Sequence, residues 1–201
     1  NVTTIALTAT ATKRVVQDIK EQLNLEQPKL YKHSFFRKNL SYKTLIFEDK
    51  NAKIIELLKS NKGSAIVYAG SRLATTQLSK ILNSKGILSG YYHGGLSTPE
   101  KEQQYQQWIT DKTKVIVATN AFGMGIDKAD VSMVIHINIP ESIEHYFQEA
   151  GRAGRNKKQA QALLLVVAND IEVTKKWHLG QMPDIDFLKL IDGHPIQCNV
   201  P

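Results

Sequence analysis

Two short runs constrain this chain more than anything else in it: Ala65-Ile66-Val67-Tyr68 and Val115-Ile116-Val117-Ala118. Each is apolar at every position, where a half-buried strand would alternate apolar and polar residues. A strand written this way is buried on both faces, as in a parallel sheet covered by helices on each side. The segments between such runs carry helical periodicity. Ala52–Ser60 places Ile54, Ile55, Leu57 and Leu58 inward. The stretch after Ser71 does the same with Leu78, Ile81 and Leu82, and Gly86 stands where a left-handed residue would stop it. Ser97-Thr98-Pro99-Glu100 is a capping-box start for a helix running to Trp108. Further strands are expected at Ile5–Thr8, Ile87–Tyr92, Met133–Ile139 and Ala162–Val167, with an extended stretch over Leu30–Phe35. Further helices are expected at Thr12–Leu23 and Ser142–Ala153, and one opens at Asn169 and Glu172. Alternation of this kind predicts an α/β fold, with a parallel sheet sandwiched between helices and right-handed crossovers. The polar, weakly patterned stretch Arg37–Lys50 is the linker candidate.

Composition narrows the function classes. The hydrophobic share of 42% and charged share of 22% suit a globular domain. No apolar run is long enough to span a bilayer, and Asn1-Val2-Thr3-Thr4 does not begin a signal peptide. No membrane partner is expected. The first residue is not Met, so the chain is expected to begin inside a longer protein. A single cysteine, Cys198, excludes a disulfide framework and a zinc site of several thiolates. No metal site is expected in the chain. The net charge of +7, from 26 basic against 19 acidic residues, suits a polyanionic partner such as nucleic acid, and on charge alone a solvated basic surface with no partner is an equal alternative.

In parallel sheets ligands bind beyond the C-terminal ends of the strands, which points to the loops after Tyr68, Tyr92, Ala118 and Ile139. After Val117 comes Ala118-Thr119-Asn120-Ala121-Phe122-Gly123-Met124-Gly125-Ile126-Asp127, with hydroxyl, amide and backbone N–H donors suited to phosphate oxygens. An ordinary strand-to-helix turn is the alternative. Gln148-Glu149-Ala150-Gly151-Arg152-Ala153-Gly154-Arg155 is sharper. Two arginines three apart are expected on one face of a turn, and guanidinium groups suit the charge of a phosphoryl group in transfer. Exposed surface arginines are the alternative. Ala69-Gly70-Ser71-Arg72 is a helix start with a hydroxyl and a cation, either an anion site or a plain cap. Tyr92-His93-Gly94-Gly95-Leu96 offers backbone amides, and catalysis by His93 is not expected. No Gly-x-x-x-x-Gly-Lys-[Ser/Thr] loop and no acidic magnesium motif after an apolar strand occur. A self-sufficient hydrolase is therefore not expected.

Taken together, these residues resemble the second motor half of a superfamily 2 helicase, in the form found in the RecQ family. Thr8-Ala9-Thr10 is similar to motif III, Val67–Arg72 to motif IV, Val117–Asp127 with Lys128 to motif V, and Gln148–Arg155 to motif VI. Ser34-Phe35-Phe36-Arg37-Lys38-Asn39-Leu40 resembles the RecQ junction between the two motor domains, where a proline often stands at the position of Lys38. The likeness runs from about residue 3 to about residue 168. DEAD-box RNA helicases share the architecture, but their motif VI opens with a His-Arg pair where this chain has Gln148-Glu149. Their motif V carries an arginine-containing loop where this chain has Phe122-Gly123-Met124-Gly125.

The resemblance implies a RecA-like fold in three parts. Residues 1–36 would be the tail of the first helicase domain and the junction, 37–168 the second RecA-like domain, and 169–201 a C-terminal helical extension. It implies ATP with Mg²⁺ as cofactor, bound mainly by the first domain, which is also a partner. Single-stranded DNA and the duplex at the fork are the other partners, with 3′ to 5′ unwinding. Arg155 would be the arginine finger, Arg152 would assist it, and Gln148 would couple nucleotide state to domain position. Gly125 and Asp127 would lie near the nucleotide. Ser71, Arg72, His93, Gly94, Gly95, Thr119 and Asn120 would follow the DNA backbone. The expected location is the bacterial cytoplasm or nucleoid, or the nucleus of a eukaryote. The longer family members carry a four-cysteine zinc module after motif VI; here that region holds only Cys198. Without the first domain, Thr12–Leu23 would lack its packing partner. Two other readings remain open at this point: a non-catalytic nucleic-acid-binding fragment, and half of an RNA helicase.

Overall fold

The computed structural model describes residues 3–8, 11, 13–32, 36–123, 125–167 and 170. Six parallel strands form one sheet: β1 (Leu40–Ile46), β2 (Ser64–Tyr68), β3 (Ser89–Tyr92), β4 (Val115–Ala118), β5 (Val131–His136) and β6 (Ala160–Val166), in the order β1-β6-β5-β2-β4-β3. The helices are α1 (Lys13–Gln22), α2 (Lys50–Ser60), α3 (Arg72–Ser84), α4 (Thr98–Ile109) and α5 (Ile143–Ala150). The two all-apolar runs are the central β2 and its neighbour β4, both buried along their whole length. Their alternate side chains feed two separate cores. Ala65, Val67, Val115 and Val117 pack with Ile54 and Leu58 of α2 and with Leu78 and Leu82 of α3. Ile66, Tyr68, Ile116 and Ala118 pack on the other face with Trp108 of α4 and Ala150 of α5. The fold is the helix–sheet–helix sandwich that the alternation predicts.

Local chemistry fixes the element ends. Ser71 Oγ accepts from the Ala74 N–H, and Ser142 Oγ from the His145 N–H, each satisfying a donor that the helix start leaves open. Ser97 and Glu100 form the expected capping box. Gly86 follows α3 at φ +78.

Several expectations do not hold. Arg37–Lys50 is not a linker, since it contains β1, which pairs along its length with β6. The strand sits at the sheet edge, so its outward Lys43 and Thr44 tolerate solvent and hide the pattern. Ile5–Thr8 forms no strand: these residues are exposed coil, Leu7 at 90%. Leu30 to Lys32, in the stretch expected to be extended, are neither strand nor helix, and residues 33–35 lie outside the described ones. The helix expected over Ser142–Ala153 ends at Ala150, and Gly151 begins a turn. The expectations for Ala9 and Thr10 and for the helix opening at Asn169 and Glu172 fall outside the described residues. Helix α1 forms nearly where its periodicity places it but buries no residue. No helix among the described residues is long and apolar enough to cross a membrane.

Candidate functional site

Five loops leave the C-terminal ends of the parallel strands, and three of them carry predicted residues. Gly70, Ser71 and Arg72 follow β2, while His93, Gly94 and Gly95 follow β3. These two loops meet: a Cβ at Gly95 would stand 2.9 Å from Arg72 Nη1, so the guanidinium lies directly across the glycine. Thr119 and Asn120 follow β4, and the Thr119 N–H donates to the Tyr92 carbonyl at 3.0 Å, tying this loop to its neighbour. Ser71, Arg72, Gly94, Gly95 and Asn120 are exposed. His93 stacks on Tyr91. Sequence reasoning missed Asn138, beyond β5. Its Oδ1 accepts from the Gly70 N–H at 2.8 Å and so fixes the entrance to α3. A lone asparagine ahead of Pro140 gives no sign of that contact.

Residues 119–130 are unusual for a connection between parallel strands, because no helix is found among the described ones. The segment starts at the C-terminal end of β4 and must cross the sheet face to reach the start of β5. Two residues anchor it. Phe122 is 1% exposed; its carbonyl accepts from the Tyr68 hydroxyl at 2.9 Å, and its ring meets Trp108 edge-on. Lys128 is buried at the far end. Its Nζ reaches Asp111 Oδ1 and Asp130 Oδ1, both at 3.1 Å, and lies over the Trp108 ring. Lys128 holds the Asp111 carboxyl below the usual carboxylate value. Between the anchors, Gly125 is exposed at φ +79, with nothing within 4 Å of where a Cβ would be.

The arginine pair meets this crossing segment from beneath. The chain from α5 through Gly151–Arg155 leads to the N-terminal end of β6, not to one of the strand-end loops. The Gly154 N–H donates to the Val131 carbonyl, and the Asn156 N–H to the Ala129 carbonyl. Small side chains at Ala150, Ala153, Ala160 and Ala162 let the turn lie close against the sheet. Both arginines reach the crossing segment, but they differ in exposure. Residues 151–155 form a turn that continues from the end of α5. Arg152 is buried, 7% exposed, and a Cβ at Gly123 would stand 3.1 Å from its Nη2. Its Nε has no hydrogen-bond partner among the described residues. Arg155 is the solvent-facing member, with its side chain 37% exposed. Its Nη1 donates to Asp127 Oδ1 at 2.8 Å and to the Ile126 carbonyl at 3.0 Å. Gln148 is exposed near the end of α5.

Below Arg152 lies a buried polar cluster that sequence reasoning also missed. His136, 2% exposed, lies 2.7 Å from Glu149 Oε2 through Nε2, and its ring stacks on Tyr68. Burial pushes the Tyr68 phenol well above its ordinary pKa; the Arg152 guanidinium acts in the opposite direction but does not win.

A helicase conserved C-terminal domain matches residues 49–157, from the start of α2 to just past the arginine turn. Over 172 residues, 85% of the chain, 39% are identical to an ATP-dependent DNA helicase RecQ of Bacillus subtilis. The chain belongs to the helicase C-terminal domain family, in its RecQ branch. The Pasteurella multocida RecQ helicase is 43% identical over 80% of the chain, and the RecQ-like DNA helicase BLM of Xenopus laevis 40% identical over 83%. The chain spans 29%, 26% and 13% of these three relatives' lengths. Among solved structures, the Escherichia coli DEAD-box protein SrmB matches with TM-score 0.62 and 27% identity, covering 67% of this chain and 81% of that one. A DEAD-box protein from Methanococcus jannaschii matches at TM-score 0.62 and 22% identity, over 85% of this chain and 47% of that one, which supports the fold alone. The RecA-like helicase fold and the RecQ-type motifs therefore meet in one domain, and the Helicase_C boundaries enclose both the strand-end loops and the crossing segment.

Proposed function

We propose that this RecQ-type domain is the second motor domain of an ATP-dependent DNA helicase, working against a first domain that grips Mg²⁺ and ATP. One observation carries this reading. Arg152 and Arg155 are gathered onto the same crossing segment whose other end, Thr119 and Asn120, lies among the strand-end loops. Bound Mg²⁺·ATP would supply a phosphoryl group whose transfer to water releases the free energy for movement. The donor set fits the phosphate end of a nucleotide held elsewhere: one cation is solvent-facing, and another is buried with an unpartnered Nε. Among the described residues no group of three acids, histidines or cysteines could cage a metal.

In this reading Arg155 reaches the γ-phosphate and neutralises charge there, with Arg152 behind it and Gln148 reporting the nucleotide state. Asp127 orients Arg155 while the site is open. An exposed ion pair of this kind contributes only about 0–1 kcal/mol, so the guanidinium can leave Asp127 for a phosphate at little cost. Gly125 keeps the nucleotide's approach free of a side chain. At the other end Ser71, Arg72, His93, Gly94, Gly95, Thr119 and Asn120 hold the backbone of single-stranded DNA. A displacement of the Arg155–Asp127 end is passed along residues 119–130 to Thr119 and Asn120, which links nucleotide state to DNA grip. Movement is 3′ to 5′, and opening of the duplex follows at the fork. The location is wherever cellular DNA is, the cytoplasm or nucleoid of a bacterium or the nucleus.

Residues 37–168 form the motor domain in this reading, 1–36 the end of the first domain and the junction, and 169–201 an extension. The exposure of Ile5, Leu7, Leu30 and Tyr31, together with an α1 that buries nothing, supports a packing partner outside the described residues. DNA over RNA rests on Gln148-Glu149 and the Phe122–Gly125 wording. The test is ATP turnover by the full-length protein with single-stranded DNA or RNA of equal length and sequence. Strong stimulation by DNA alone is expected; equal stimulation by RNA would contradict the DNA assignment.

A further inference from the structure

The turn that carries both arginines is held by two side chains from a segment more than a hundred residues earlier. Arg37 donates from Nη1 to the Gly151 carbonyl at 2.8 Å and from Nη2 to the Gly154 carbonyl at 2.5 Å. Asn39 donates from Nδ2 to the Gly154 carbonyl at 2.7 Å and to the Lys158 carbonyl at 2.8 Å. The carbonyls of Gly151 and Gly154 belong to the peptide units immediately ahead of Arg152 and Arg155. A guanidinium is planar and rigid, so one fork fixes two acceptors relative to each other. Charge-assisted bonds of this type are about twice as strong as neutral ones.

The Arg152 and Ala153 N–H groups bond back to the Glu149 and Ala150 carbonyls, and the bonds from Arg37 and Asn39 fix the Gly151 and Gly154 carbonyls from outside. Glycine is what admits them. Gly154 sits at φ +66, and a Cβ there would stand 2.7 Å from Asn39 Nδ2 and 2.9 Å from Ala160 Cβ. The clamp is itself anchored. The Asn39 carbonyl accepts from the Ala160 N–H at 2.8 Å, and Leu40, which opens β1, is 5% exposed.

We propose that Arg37 and Asn39 are positioning residues of the motor: they set the direction in which Arg152 and Arg155 point. Both lie directly ahead of β1, in the stretch read as the junction between the motor domains. A shift of that stretch therefore moves the arginine turn with it, and the junction reports domain position to the site of phosphoryl transfer. This rests on the reading of Arg155 given under the proposed function.

The test is a double-mutant cycle in the full-length protein: Arg37→Ala, Arg155→Ala and the pair, with DNA-stimulated ATP turnover, nucleotide affinity and thermal midpoint measured for each. Arg37→Ala is expected to lower kcat by on the order of 10²-fold, the scale of a misplaced catalytic group, with KM for ATP little changed. Asn39→Ala should act in the same direction and less. The loss in the double variant should be well short of the product of the two single losses, because Arg37 acts through the arginine turn. A purely structural role would lower the thermal midpoint and multiply with Arg155→Ala. Such multiplication, or normal kcat in folded Arg37→Ala beside an inactive Arg155→Ala, would overturn the proposal alone. Normal turnover in Arg155→Ala would instead overturn the reading beneath it. If Arg37→Ala does not fold, Arg37→Lys keeps the charge without the planar fork, and the same split of kcat from KM is expected of it.

Discussion

The strand-end loops and the arginine turn are built on opposite principles. Around Ser71, Arg72 and Asn120, side chains stand exposed just beyond the strand ends, fixed by backbone and cap hydrogen bonds. Around Arg152 the group proposed to work is itself part of the core: the guanidinium is buried, lies against Gly123 and is close enough to Tyr68 to act on its phenol. Under the proposed function, the first arrangement would let a surface grip a flexible polymer without risk to the fold. The second fixes a charge in space, at the cost of making that charge part of the fold's stability. Substitutions in the two regions should therefore fail differently.

The largest expected contrast is between Phe122→Ala and Leu73→Ala. Phe122 is 1% exposed under the crossing segment and Leu73 is 66% exposed beside the strand-end loops. Truncating Phe122 should cost about 3–5 kcal/mol of unfolding free energy, as for buried aromatics. Leu73→Ala should stay within about 0.5 kcal/mol, as for surface positions. Urea unfolding of both variants measures the difference, and equal losses would break the comparison.

Arg72→Ala comes next. It should weaken single-stranded DNA binding by about 1.5 kcal/mol, the scale of a charged hydrogen bond. It should also flatten the salt dependence by about one unit of slope, while leaving the thermal midpoint unchanged. A fluorescence anisotropy titration at several salt concentrations reads both. Ser71→Ala separates the hydroxyl's two roles. The lost cap should cost about 1 kcal/mol in stability; a loss of DNA affinity on top of that would show that the hydroxyl also meets the nucleic acid.

The smallest effect is a pH dependence. Lys128 depresses the Asp111 carboxyl, so the folded state favours its charged form. That contribution is complete above the unfolded carboxylate pKa and is lost as pH falls through the folded value. Asp111 is about half exposed as a side chain, at 45%, and solvent screening keeps the effect small. Thermal midpoints should fall slightly more below pH 4 in the parent than in Lys128→Met, whose Asp111 keeps only the more exposed Lys114; the pH 4 figure is about the ordinary carboxylate value.

The same contrast sets what could be read from the sequence. β2 and β4 were legible because burial on both faces leaves no polar residue to blur the pattern. The caps at Ser71 and Ser97 were legible because they act within three residues of themselves. β1 was not, because an edge strand pairs on one side only and Ser41, Lys43 and Thr44 look like a linker. The motif positions were visible as clusters of glycine, hydroxyl and guanidinium groups. Their three-dimensional roles were not, because burial of Arg152 depends on a segment without a helix crossing above it. Likewise Arg37, Asn39, Asn138 and the His136–Glu149 pair work through contacts that no local pattern encodes. Residues 3–32 show the reverse case: α1 has a clear period but buries nothing in the described structure.

The central claim is that the solvent-facing guanidinium of the turn acts on a nucleotide gripped by another domain. Steady-state ATP hydrolysis by full-length Arg155→Ala, at saturating single-stranded DNA and with nucleotide binding measured in parallel, tests it most directly. The expected result is turnover lower by about 10³- to 10⁵-fold, the range for an arginine finger, with nucleotide binding largely kept. Turnover near that of the parent protein would contradict the account.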